Sequence, residues 1–189
     1  MSVALFDGTI GANEFDNFTT IVDSTGTIGD QASTAPNTWW ASTETASGSF
    51  ATQGLKDGTT LYNTISKSLT DPADLSIMTQ TVYEAFEATM RGFAQFDVMR
   101  DGAVDPGIKK GGLRFKGSTV FWDENQVSGI WTMINSRYLY LYVDEKADFA
   151  IGPSIRPANQ FLSTRLVRWR GTMVCENRAR QGKLSGLTA

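Results

Sequence analysis

The side chains able to do acid–base or metal chemistry in this chain are few and poorly gathered. Asp123 and Glu124 are adjacent, so on a strand they point to opposite faces and cannot act as a carboxylate pair. Asp144, Glu145 and Asp148 could join Asp123 around a hard cation, although acids at strand ends are ordinarily solvated turn residues. Lys109-Lys110-Gly111-Gly112 has the wrong order for a phosphate-cradling loop, and no helix pattern follows it. Cys175 is the only cysteine and there is no histidine. That excludes disulfides, zinc or iron–sulfur cysteine clusters, Ser-His-Asp and Cys-His nucleophiles, and every histidine-ligated metal. Any catalysis would have to run on carboxylates, lysines or hydroxyls. The inventory therefore favours a structural or binding protein, with no catalytic residue, metal or cofactor expected.

The elements that would carry these residues follow from periodicity. Residues 1–54 are rich in Thr, Ser, Gly and Asn, with short apolar islands at 15–22 and at Trp39-Trp40, and read as β and loop with a weak claim to independent folding. Leu55, Leu61, Tyr62, Ile65 and Leu69 recur at helical spacing. Gly58 costs that helix ~1 kcal/mol relative to alanine, so its firm part is placed from Thr59, and Asp71-Pro72 stops it. Leu75 to Met78 reads as a short buried strand, followed by a helix with Thr79 as N-cap and Val82, Tyr83, Phe86 and Met90 as its apolar stripe. Residues 91–112 lose periodicity and gather Gly and Pro, the pattern of a long surface loop.

Strands then dominate. Leu113–Lys116 and Thr119–Asp123 form a hairpin about Gly117-Ser118, and Ile130–Ile134 and Tyr138–Val143 are the next two strands. Tyr138, Tyr140 and Tyr142 share one face of the last, and cover from the same chain is expected for them. Residues 161–177 read as one long strand, with Cys175 on its apolar face as a small core hydrophobe. Residues 176–189 read as a basic, mobile end.

At 189 residues the chain can bury a proper core. No stretch approaches the ~20 apolar residues of a membrane span. The first residues lack the basic and apolar regions of a secretory leader, so a soluble intracellular chain is expected and the glycosylation triplet at Asn17 is read as coincidence. The net charge of −3 hides an asymmetry: residues 1–60 carry one base and seven acids, and residues 156–189 seven bases and one acid. Such polarity suits ends that meet each other or meet copies of themselves. Nucleic-acid binding by the basic end is the rival reading, against which stand a pI near 5.0 and a lack of stacking aromatics there other than Trp169.

Read in order, several stretches resemble the C-terminal two-thirds of tailed-bacteriophage major capsid proteins with the Hong Kong ninety-seven fold. They are Asn37-Thr38-Trp39-Trp40; Leu55-Lys56-Asp57 with Leu61-Tyr62-Asn63; PADLSIMTQTVYEAFE from Pro72; LRFKGSTVFWD from Leu113; Ile155-Arg156-Pro157-Ala158-Asn159-Gln160; and Glu176-Asn177-Arg178-Ala179-Arg180-Gln181-Gly182. The order and spacing of these pieces across residues 37–189 carry the likeness, since none is a mechanistic motif. It implies an α+β capsid fold. Residues 1–54 would complete a peripheral domain, 55–70 form its spine helix, 71–153 an axial domain with a strand–helix element and mixed sheet, 154–177 the return strand, and 178–189 a tail. Relative to such proteins the chain lacks the N-terminal arm and most of the extended loop. Either Met1 is an internal or engineered start, or residues 1–36 replace them, and no lysine matches the family's covalent cross-link.

The resemblance implies a virion subunit that self-assembles into pentamers, hexamers and an icosahedral shell, contacting packaged DNA non-specifically and other virion proteins such as portal or scaffold, with no membrane partner. Candidate subunit contacts are Arg100, Asp101, Lys109 and Lys110 of the 91–112 loop, the face of Tyr138, Tyr140 and Tyr142, and Arg156, Arg178 and Arg180. A cellular compartment shell of the same fold enclosing a protein cargo is the alternative, with a carboxylate- or lysine-dependent α+β enzyme third.

Overall fold

The computed structural model describes residues 17–67, 70–91, 97–98, 104–105, 113–156 and 161–189. In chain order they form the short helix α1 (Phe18–Ile21), strands β1 (Thr27–Ile28), β2 (Gln31–Ala32) and β3 (Thr43–Ala46), helix α2 (Leu55–Ser66), strand β4 (Leu75–Met78) and helix α3 (Gln80–Arg91). Strands β5 (Asp97–Val98), β6 (Val104–Asp105), β7 (Leu113–Phe115), β8 (Ser118–Trp122), β9 (Trp131–Ile134), β10 (Leu139–Val143), β11 (Ala150–Ile151), β12 (Val167–Arg168), β13 (Gly171–Cys175) and β14 (Gly182–Ser185) follow.

The architecture is α+β on a mixed sheet. Six strands run in the order β3-β14-β9-β4-β8-β7, with β14 parallel to β3, β4 parallel to β8, and the other pairs antiparallel. The hairpin β7–β8 turns at Lys116 and Gly117, both with positive φ, 50° and 94°, as a two-residue hairpin turn demands. Val82 and Phe86 of α3 and Leu61, Tyr62 and Ile65 of α2 pack with Met78, Phe115, Val120, Trp131, Met133 and Leu184 into the main core. Ile77 and Ile134 form a smaller apolar cluster with the partly buried Phe18, Phe121 and Leu139.

Helix α2 runs unbroken through Gly58 and is preceded by a π-helical turn at Phe50–Gly54. A Cβ at Gly58 would stand 2.4 Å from the Trp131 ring. The glycine that propensity marks as a weakness therefore lets the helix lie directly on the largest buried ring. Thr79 does precede α3 and its carbonyl accepts from Tyr83 N at 2.9 Å. Its hydroxyl, however, is buried without a hydrogen-bond partner among the described residues, so the expected side-chain cap is not made.

Three expectations are corrected. Residues 176–189 are not a mobile end: β14 lies inside the sheet between β3 and β9, where two backbone ladders and the buried Leu184 fix it. The apolar content of that segment is small, and parallel pairing with β3 supplied the missing constraint. Residues 161–177 are not one strand, since only β12 and β13 form, separated at Trp169 and Arg170. The ladder shifts register there: residues 144–149, which include a 3-10 turn, stand opposite only Trp169 and Arg170. The weak claim of the N-terminal region to independent folding agrees with the packing of Ile21 and Val22 on Met173 and Cys175. The 91–112 segment, read as loop, contains the antiparallel pair β5–β6.

A two-stranded arm and the cleft at its base

The segment from Leu139 to Cys175 doubles back on itself as one long hairpin. Leu139 pairs with Cys175 through Val143 with Gly171, Ile151 pairs with Val167, and Ile155 bridges Thr164. Asp144 N donates to Arg170 O at 3.0 Å and Gly152 N to Leu166 O at 2.7 Å, which ties the ladders together. The base is anchored by Met173, Cys175 and Leu139 in the cluster with Ile21 and Val22. Further out nothing described covers either face. Leu141 is 54% exposed, Tyr142 58%, Ile151 65% and Phe161 fully exposed at 116%, and Phe149, Ile155, Leu162, Leu166 and Val167 are exposed too. Arg156, Arg165, Arg168 and Arg170 are interspersed and exposed, and Arg170 Nη1 lies 3.6 Å from Asp144 Oδ2.

The expected contact residues separate into three groups. Tyr140, Tyr142 and Arg156 lie on the arm, exposed; among the described residues nothing gives Tyr140 and Tyr142 the expected cover, because β10 pairs with β13 alone in a ribbon outside the six-stranded sheet. Tyr138, Arg178 and Arg180 are internal. Tyr138 donates to Asp71 Oδ2 at 2.7 Å, Asn135 Nδ2 to Asp71 Oδ1 at 2.8 Å, and Arg180 Nε lies 3.3 Å from Asp71 Oδ2. Arg180 also donates to Ile65 O and Ser66 O, satisfying carbonyls at the end of α2. Arg178 is 0% exposed and donates to the carbonyls of Thr20, Ile21, Asp23 and Gly26 and to Ser33 Oγ. It is a clamp on the N-terminal region, not a surface contact. Arg100, Asp101, Lys109 and Lys110 lie outside the described residues.

The charge asymmetry is partly spent within the chain. Lys183 Nζ lies 3.3 Å from Glu44 Oε1, and Arg178 grips the loop that carries Asp23. Of the bases between residues 156 and 189, those left exposed are Arg156, Arg165, Arg168 and Arg170 of the arm. The acidic residues considered for chemistry hold turns: Asp123 Oδ1 accepts from Asn125 N and Asp144 Oδ1 from Lys146 N. Asn17 of the glycosylation triplet is buried and caps α1 by accepting from Thr20 N. Among the described residues no three His, Cys, Asp or Glu side chains gather where a metal ion could sit, and no described helix is long and apolar enough to cross a membrane.

Two titrating groups report on these contacts. Burial raises the Asp71 carboxyl, but the Tyr138 and Asn135 hydrogen bonds with the Arg180 and Arg137 charges outweigh it, so its pKa is lowered. A lowered folded value means that Asp71 stabilises fully above the ordinary carboxylate range and loses that contribution as pH falls through its folded value. Tyr138→Phe is expected to move this acid loss to higher pH, measured as urea midpoints across an acid series; an unchanged acid profile would remove Tyr138 from the account. Burial pushes the Cys175 thiol up to about 11. Cys175 is therefore expected to resist an aromatic disulfide reagent at about pH 8 in the native protein and to react fully in denaturant. Rapid native labelling would contradict its burial.

A cleft of about 500 Å³ lies at the arm's base, lined by Ile28, Gly29, Gln31, Trp39, Trp40 and residues 172–175. Side chains alternate along a strand, so four consecutive lining residues mean that the cleft runs along an edge of β13. That edge has no second neighbour among the described strands. Glu176 N donating to Tyr138 O and Asp144 N to Arg170 O put the even-numbered residues on the β10 side. The backbone groups of Met173 and Cys175 therefore face the cleft. Sequence reasoning saw Trp39-Trp40 as an apolar island and as one piece of the capsid likeness, not as the wall of a cleft, and missed the arm's apolar residues because it split the hairpin at Gly152-Pro153.

No protein-family model matches the chain, and no curated protein matches it.

Proposed function

We propose that the protein is a structural shell subunit, a capsid protein of the tailed-phage type with the Hong Kong ninety-seven fold, which associates with copies of itself into rings and a shell around DNA in the virion. The observation that carries this reading is the arm: a two-stranded ribbon with large apolar side chains bare on both faces. A monomer in water gains nothing by exposing that much apolar surface, and such patches mark association sites. Interspersed arginines are what protein interfaces favour over lysines. Helix α2 and the succession β4–α3 fall where the resemblance expects a spine helix and an axial strand–helix element. A shell subunit needs complementary edges repeated about an axis and no catalytic constellation.

The test is the mass of the purified chain by light scattering over a concentration series, with negative-stain imaging. Growth of mass with concentration and rings or shells in the images are expected. A strictly monomeric mass at high concentration together with fields empty of rings would overturn the proposal. Co-purification of one protein cargo in place of nucleic acid would redirect it to a compartment shell.

A further inference from the structure

We infer that the arm of one copy docks in the cleft beside β13 of the next, its outer strand adding to the free β13 edge and its apolar tip residues Phe161, Leu162 and Leu166 packing against Trp39 and Trp40. This rests on the self-association proposed above and names the two surfaces that meet.

Three observations favour this occupant. Both surfaces are apolar and open on the same chain, so each copy offers a donor and an acceptor at different places. Such a contact is heterologous and propagates to a ring, whereas arm-to-arm pairing would stop at a dimer. The free edge supplies backbone donors and acceptors, which strand addition satisfies while pockets for alternate side chains set the choice of partner. Charge agrees in sign. The outer arm exposes Arg156, Arg165 and Arg168, and the cleft is flanked by the exposed acids Asp30, between Gly29 and Gln31, and Glu176, next to Cys175. Reach is sufficient too, since 14 positions separate Cys175 at the base from Phe161 and an extended chain spans ~3.3 Å per residue. A nucleic acid is the competing partner for a basic ribbon, but contacts to the bases of the arm alone would leave its 11 exposed large apolar side chains uncovered.

The experiment mixes two full-length variants. Phe161→Asp blocks the arm and keeps the cleft; Trp39→Glu blocks the cleft and keeps the arm. Both residues are exposed, Trp39 at 66%, so unchanged urea midpoints are expected and certify folding. Each variant alone is expected to associate at least ~10-fold more weakly than wild type by sedimentation velocity. Mixed, they retain one intact arm–cleft pair and are expected to form a one-to-one dimer that grows no further. Association of Trp39→Glu as tight as wild type would overturn the docking site while leaving self-association standing. A mixture that remains monomeric would overturn it as well, as would intact assembly of Phe161→Asp accompanied by loss of DNA binding. A wild type that never associates would overturn both this inference and the function on which it rests.

Discussion

Replacing Arg178 by alanine is expected to lower the unfolding free energy by about 3–5 kcal/mol, the range for removing one member of a buried charged network. The guanidinium is fully buried and its Nε, Nη1 and Nη2 groups are each spoken for, by Ile21 O at 2.9 Å, Gly26 O at 3.0 Å with Ser33 Oγ, and Asp23 O at 2.7 Å with Thr20 O at 3.1 Å. Those carbonyls belong to the end of α1 and the loop before β1, which have few backbone partners of their own. Without the arginine they would be buried acceptors facing a cavity. A domain of ordinary stability, about 5–15 kcal/mol, would lose a large share of it. Arg178→Lys is expected to recover less than half of the loss, because one ammonium cannot serve three directions that a planar fork reaches at once. Urea titration followed by tryptophan fluorescence measures both. A loss below ~1 kcal/mol for alanine, or full recovery by lysine, would show that the clamp is not what holds the N-terminal region.

The same residue shows where sequence reading reached and where it stopped. Helix α3, strand β4, the β7–β8 hairpin and β9 stand within a residue or two of their expected bounds, and α2 falls in the expected segment but starts four residues before the expected firm part and ends at Ser66. Each buries one apolar stripe at a period that is visible locally, as Val82 and Phe86 do on α3. The charged C-terminal segment was misread because its role is set by partners far away in sequence. Arg178 meets residues more than 140 positions earlier, and β14 pairs with β3 across a comparable separation. A basic run of low hydropathy reads as solvent-facing, and nothing local announces that it closes a sheet. The arm failed for the opposite reason. Its apolar content read as core, although the ribbon leaves the sheet and keeps that content bare. Tyr140 and Tyr142 were rightly placed on one face, but whether a face is covered depends on what lies above it, which periodicity does not report.

Trp131→Ala is expected to cost about 3–5 kcal/mol, the range for truncating a fully buried large aromatic. The indole is 0% exposed, with ring centroids of Phe115, Phe50 and Phe86 at 5.1, 5.9 and 6.1 Å. The hole would open at the centre of an aromatic cluster whose members are themselves braced by the sheet, which limits collapse. Gly58 gives the more discriminating measurement. On helix propensity alone Gly58→Ala should stabilise by ~1 kcal/mol. A Cβ there would lie 2.4 and 2.6 Å from two Trp131 ring carbons, closer than any relaxed contact, and the ring is fully buried against Phe50, Phe86 and Phe115. The substitution is therefore expected to destabilise by ~1–3 kcal/mol in the native background, as overpacking does. With Trp131 already alanine the same methyl enters the space the indole has left, and propensity decides: Gly58→Ala should then be neutral or stabilising by up to ~1 kcal/mol. The sign therefore reverses between the two backgrounds, which makes the pair strongly coupled in a double-mutant cycle. Simple additivity of the two substitutions would mean that Gly58 is not kept small by Trp131, and the close approach of α2 to the sheet would need another cause.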